Sequence, residues 1–117
     1  MIGIFLDDER TPSRVSWIDY PEDITWKTVR TFEDFKSAVK DCWDEPYEVS
    51  FDHDIQDYNL NGDEVTGYTA LKWLVDYIIE YNFPLPEAVY FHTKNPVGKR
   101  NMESYWSNFL DNLEDLL

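Results

Sequence analysis

The sequence predicts an α/β fold built on a mostly parallel sheet of four strands. Two observations predict it. Four short apolar runs, Ile2–Leu6, Trp26–Arg30, Tyr47–Phe51 and Ala88–Phe91, each end in a polar cluster, as buried strands entering loops do. Stretches with apolar residues at three- and four-residue spacing follow the last three of them, which is the pattern of crossover helices packed on a parallel sheet. With 117 residues, 43% of them hydrophobic and 17% aromatic, the chain fits one domain, residues 1–117, with enough large side chains for a real core.

The first strand, Ile2–Leu6, runs into Asp7-Asp8-Glu9. Residues 10–25 carry Pro12 and Pro21 and little helical periodicity, so an irregular excursion is expected; Arg14, Trp17, Tyr20 and Trp26 could stack a nucleobase, though an aromatic flap sealing the core is the commoner outcome. Trp26–Arg30 is the second strand. Thr31 can cap the helix after it, where Glu33 and Asp34 suit the positive dipole end. Phe32, Phe35, Val39 and Cys42 make its apolar stripe, and Asp44-Glu45-Pro46 closes it.

Tyr47–Phe51 leads to Asp52-His53-Asp54 and a polar loop over residues 55–66. Asp57–Gly62 copies the first half of a calcium loop, but the twelfth position is Tyr68 instead of a bidentate Glu, so a flexible turn closing over the site is expected there. A helix opens at Gly67 and ends at Asn82, Pro84 and Pro86. The fourth strand, Ala88–Phe91, runs into His92-Thr93-Lys94-Asn95. Asn95 caps a last helix with Pro96 in its first position and a stripe reaching Leu117.

Ten Lys and Arg stand against 24 Asp and Glu, a formal charge of −14. That field disfavours long nucleic acid, whose binding needs cationic contacts to phosphate, and it suits a basic protein partner. No apolar run approaches the roughly 20 residues of a membrane span. Cys42 is the sole cysteine, so no internal disulfide forms, a buried inert thiol is expected, and the setting is read as cytoplasmic.

In an open parallel sheet, ligands bind beyond the carboxyl ends of the strands. The clusters at 7–9, 30–31, 52–54 and 92–95 should therefore converge. Carboxylates crowded there survive by protonation, by pairing with Arg10 or Arg30, or by holding a cation. With oxygen donors and no Cys, the cation would be a hard divalent ion such as Mg²⁺ on Asp7, Asp8 and Asp52. His53 and His92, the two histidines of the chain, are acid/base candidates. Thr93, Lys94 and Asn95, at a helix start, are phosphate-binding candidates, as is Arg30.

Leu6-Asp7-Asp8-Glu9-Arg10 with Pro12 and Trp17, Val29-Arg30-Thr31-Phe32, Ser50-Phe51-Asp52-His53-Asp54, Thr66-Gly67-Tyr68 and His92–Gly98 together resemble the cyclic-phosphate-processing receiver-like family, a shortened offshoot of the response-regulator receiver domain. The resemblance implies a three-layer flavodoxin-like fold, truncated from five strands to four. It makes Asp7 and Asp8 the acidic metal-binding pair, places Asp52 at the phosphoacceptor position and Thr93 at the hydroxyl position. It also implies a small cyclic phosphate, from an RNA end or a nucleotide, as substrate. No fifth strand carrying the receiver's lysine is evident, and Lys94 is the available substitute. The expectation is a metal-assisted phosphoesterase with Asp52, His53 and His92 as catalytic residues. A non-catalytic receiver-like module that sequesters a nucleotide or docks on a basic partner is the alternative. An aspartyl-phosphate switch at Asp52 ranks last, because the receiver's lysine is missing.

Overall fold

The computed structural model describes residues 1–116. Strands β1 (Ile2–Leu6), β2 (Thr25–Val29), β3 (Tyr47–Phe51) and β6 (Ala88–Phe91) form one sheet in the order β2-β1-β3-β6. Every pair in it is parallel. The expected α/β, receiver-like fold is present.

Alternation along these strands sorts side chains onto two faces. Ile4, Leu6, Val29, Tyr47, Val49, Phe51 and Phe91 point to one of them. All three long helices pack on that face through a common core. Helix α1 (Phe32–Lys40) brings Phe35, Ala38 and Val39; α2 (Gly67–Tyr81) brings Ala70, Leu71, Leu74, Val75 and Ile78; α3 (Pro96–Asp111) brings Met102 and Phe109. Thr31 caps α1 as expected, its hydroxyl accepting from Asp34 N at 3.1 Å. Thr66 and Thr69 close a reciprocal capping box on α2, satisfying two of the free amides of a helix start.

The opposite face carries Gly3, Phe5, Trp26, Ser50 and Tyr90 and is covered by the 7–24 excursion, whose single turn of 3-10 helix spans Pro12–Arg14. Tyr20 packs edge-on to Phe5, Trp26 and Tyr90. The third layer is thus an aromatic segment where a flavodoxin-like fold places helices. Gly3 is required beneath it, since a Cβ there would lie 2.4 Å from the Trp26 ring.

Three expectations are corrected. Helix α1 ends at Lys40, before Asp44-Glu45-Pro46, because the Asp41 and Cys42 amides reach back to Val39 O and tighten the chain into turns. Residues 57–65 form a hairpin of β4 (Asp57–Tyr58) and β5 (Glu64–Val65) in place of a loose turn. Asp57 is drawn to α1, where its Oδ2 accepts from Phe32 N at 2.9 Å. The last helix breaks at Asn112 and resumes as α4 (Leu113–Leu116), while Leu117 lies outside the described residues.

Among the described residues, no helix is long and apolar enough to cross a membrane. Cys42 is 2% exposed, its thiol donates to Ala38 O, and burial pushes its pKa up to about 11. Because the thiolate is the reactive form, native protein at pH 8 should resist thiol-directed labelling, and denaturant should release one reactive group. Rapid labelling of the native chain would contradict the buried placement.

Candidate active site at the strand ends

The strand ends position the site through the same alternation. Asp7, Asp52 and His92 each sit one residue beyond a strand and still hold the ladder. Asp7 N donates to Val29 O, Asp52 N to Leu6 O and His92 N to Phe51 O, at 2.9–3.1 Å. Since Leu6, Phe51 and Phe91 face the helices, these three residues face the aromatic layer. The convergence expected of the polar clusters occurs at β1, β3 and β6, beside the point where strand order reverses.

Asp7 is 1% exposed, Asp52 6% and His92 0%. One ligand-capable atom from each lies within 4.8 Å of the other two. Asp7 Oδ1 accepts from Glu9 N and Arg10 N, both at 2.8 Å, which fixes the turn leaving β1. Its Oδ2 meets His92 Nε2 at 3.0 Å and Arg10 Nη1 at 3.4 Å. The same Arg10 nitrogen is 3.9 Å from Asp52 Oδ2, and Asp52 Oδ1 accepts from His53 N at 2.9 Å.

The two carboxylates are driven apart in acidity. Burial opposes ionisation of Asp7, but the His92 hydrogen bond and the amides of Arg10 and Glu9 outweigh it and hold its pKa well below the usual range. Burial, and then the charge of Asp7, raise Asp52. Burial also raises Asp8. Two close buried carboxylates that share the Arg10 guanidinium, at 3.4 and 3.9 Å, could also accommodate a further cation. Within the buried group Asp7, Asp52 and His92, whose ligand atoms could hold a metal ion, the carboxylates offer hard oxygen donors. His92 is not a natural ligand, because both its ring nitrogens are occupied, Nδ1 by Ser50 Oγ at 2.7 Å and Nε2 by Asp7.

Asp7, Asp8, Arg10, Asp52, Thr93 and Lys94 line a cleft of about 180 Å³. That is below the roughly 300 Å³ at which pockets enclose a drug-sized ligand, so the cleft has room for a small polar group only. Lys94 Nζ stands 4.2 Å from the centroid of the Trp17 ring, and Arg10 stacks on that ring at 5.5 Å. The indole N–H of Trp17 donates to His92 O at 2.9 Å.

The other candidates sit differently from their expected roles. Arg30 does not face the cleft: its guanidinium donates to Asp7 O at 3.1 Å and Arg10 O at 2.7 Å, clamping the first loop. The start of α3 is largely spent as an anion site. Pro96 has no N–H, Gly98 N donates to Asn95 Oδ1, and Asn95 N donates to Thr93 Oγ1. Asn95 lines the cleft, and its Nδ2 also donates to Asp54 Oδ2 at 3.2 Å, tying the loop together. His92, sealed and stacked on Phe5 at 4.2 Å, does not open to the cleft, and replacing it would disturb packing as well as chemistry. His53 is partly exposed, with Nδ1 2.9 Å from Asp54 Oδ1. That bond is the first cause of a lowered Asp54 pKa. Its ring lies against Gly98, where a Cβ would come within 2.5 Å.

Sequence reasoning places Arg10 beside the carboxylates as a pairing partner and Tyr20 in the aromatic excursion, but gives Ser50 no role in the site. The signal for Ser50 was available: a serine inside the apolar strand Tyr47–Phe51 must find a buried partner.

A receiver-like sheet with a buried acidic cluster at its carboxyl edge defines the class of this protein. The sequence model of the cyclic-phosphate processing receiver domain matches residues 2–108, and the chain belongs to that family. No curated protein and no solved structure matches it.

Proposed function

We propose that this protein is a metal-assisted phosphoesterase that opens a small cyclic phosphate derived from an RNA end or a nucleotide. The observation carrying this reading is the pair of buried carboxylates, Asp7 and Asp52, that among the described residues share one ion-pairing guanidinium, Arg10, at the mouth of a phosphate-sized cleft. A divalent ion held by Asp7, Asp8 and Asp52 would neutralise phosphoryl charge and activate water. Arg10, released from the carboxylates, and Lys94 supply positive charge to the phosphoryl oxygens. The Thr93 hydroxyl, whose oxygen accepts from Asn95 N, hydrogen-bonds Asp52 and lines the cleft beside it.

Ring opening adds water to phosphorus, breaks one ester P–O bond and requires a proton on the departing oxygen. His53 is the candidate donor, since Asp54 holds its Nδ1 and leaves Nε2 unbonded among the described contacts. His92 acts through Asp7 instead. The cytoplasm is the proposed compartment.

The test is a panel of cyclic phosphates, including 2′,3′-cyclic mononucleotides, assayed with Mg²⁺ and with chelator. Metal-dependent ring opening is expected, and His53→Ala should lower it by about 10²–10⁴-fold. Absence of turnover across the panel with Mg²⁺ or Mn²⁺ present would refute the reading and favour a binding module.

A further inference from the structure

The excursion over the aromatic face carries aromatic side chains in two different settings. Tyr20 packs edge-on to Phe5, Trp26 and Tyr90 and belongs to the layer that covers the sheet, whereas Trp17 takes part in none of these contacts. Trp17 is 39% exposed and stands outside the hydrophobic core. Its ring is nonetheless fixed, because the indole N–H donates to His92 O at 2.9 Å. Two cations lie over it, Lys94 with Nζ 4.2 Å from the ring centroid and Arg10 with its guanidinium carbon 5.5 Å away. Both line the cleft, Arg10 from the loop after β1 and Lys94 from the loop after β6. The indole therefore sits at the cleft's rim, against the two side chains that the proposed function aims at phosphoryl oxygens.

The cleft has room for a small polar group only, and no aromatic ring lines it. The organic part of a cyclic phosphate must then lie along the rim, where Trp17 offers a π face. Magnitudes decide what occupies that face. A cation over an exposed ring is worth only about 2- to 5-fold in an equilibrium constant, whereas a stacked base is worth about 5- to 150-fold. Lys94 gains another partner once a phosphate is present, and its flexible four-carbon stem lets the ammonium turn from ring to phosphoryl oxygen. Filling the cleft thus frees the face, and a base gains more by taking it than the ammonium loses.

We infer that Trp17 is a specificity-determining residue that stacks the base of a nucleoside cyclic monophosphate, with Lys94 leaving the indole for the phosphate as the base arrives. This rests on the phosphoesterase reading given above and narrows its substrate class to nucleotides. Every base has a π face, so the site selects for a base without reading which one. A single stacked base also needs no extended track of cations, which suits a chain of formal charge −14.

Selectivity between substrates is the test. In Mg²⁺, wild-type kcat/KM for adenosine 2′,3′-cyclic monophosphate should exceed that for glycerol 1,2-cyclic phosphate, which lacks a base, by about 10-fold or more. Trp17→Leu, which keeps apolar bulk without a π face, should collapse that ratio to within about 3-fold. Trp17→Phe should retain most of it. Both variants lose the hydrogen bond to His92 O, so a merely structural role would lower both substrates alike and leave the ratio unchanged. Calorimetric binding of the ring-opened adenosine 2′-monophosphate and glycerol 2-phosphate should follow the same order without turnover. A trinucleotide ending in the same cyclic phosphate should be the poorer substrate, since its extra phosphates enter the field of an acidic chain. A wild type indifferent to the base, a ratio unmoved in Trp17→Leu, or a preference for the trinucleotide overturns the inference. A protein that turns over none of the substrates sinks the proposed function, and the binding ratios then decide the stacking alone; binding of neither ligand overturns both.

Discussion

Asp7→Asn should abolish measurable Mg²⁺ binding and lower cyclic-phosphate turnover by about 10³-fold or more, with initial rates at saturating Mg²⁺ as the measurement. A bound ion contributes several kcal/mol of charge stabilisation in the transition state, and each 1.4 kcal/mol is tenfold in rate. The substitution keeps shape and can still accept from the Glu9 and Arg10 amides. It removes the negative charge and turns an amide N–H₂ toward His92 Nε2, which already donates. Donor would then face donor in a site that is 1% exposed. The variant should therefore also lose about 1–3 kcal/mol of stability, read as a lower denaturation midpoint. Turnover within tenfold of wild type would remove Asp7 from the chemistry.

The strand ends were legible because composition and order suffice to place them. An apolar run that stops at Asp7, Asp52 or His92 marks both a buried strand and the edge where a ligand binds. Period-two alternation even settles which face those residues share, since each follows a helix-facing Leu6, Phe51 or Phe91. Roles were less legible than positions. Arg30 and Asn95 carry the right groups for phosphate, yet both are committed to backbone or loop contacts that depend on distant segments. Tyr20 and Ser50 meet across 30 residues, and Ser50 and His92 across 42. Nothing in local spacing signals such a pairing. The excursion lacks periodicity for the same reason: it is ordered by Phe5, Trp26 and Tyr90 beneath it, not by its own backbone.

Asp52→Asn should reverse the order of stability between variant and wild type, depending on whether a divalent ion is present. In chelator, wild-type Asp52 sits buried beside ionised Asp7, with Arg10 as a distant partner at 3.9 Å. Repulsion at such separations is on the order of 3 kcal/mol at an effective dielectric constant near 20, and Arg10 offsets part of it. The raised Asp52 pKa, caused first by burial and then by Asp7, fixes the sign. Its neutral form contributes stability below the ordinary carboxyl range, and that contribution is lost as pH rises through the raised value. An asparagine stays neutral throughout and still accepts from His53 N. At pH 7 in chelator the variant should thus be about 1–2 kcal/mol more stable, or several degrees in Tm. Asp7 works in the other direction: its lowered pKa gives stability above the ordinary range that is lost only in strong acid. Adding Mg²⁺ to 100 times its Kd should stabilise the wild type by about 2.7 kcal/mol and leave the variant unmoved, carrying the wild type past it. Thermal melts of both proteins, with and without Mg²⁺, decide the matter. A variant less stable than wild type in chelator, or a wild-type Tm indifferent to Mg²⁺, would mean that Asp52 is not held at an electrostatic cost for the sake of a cation.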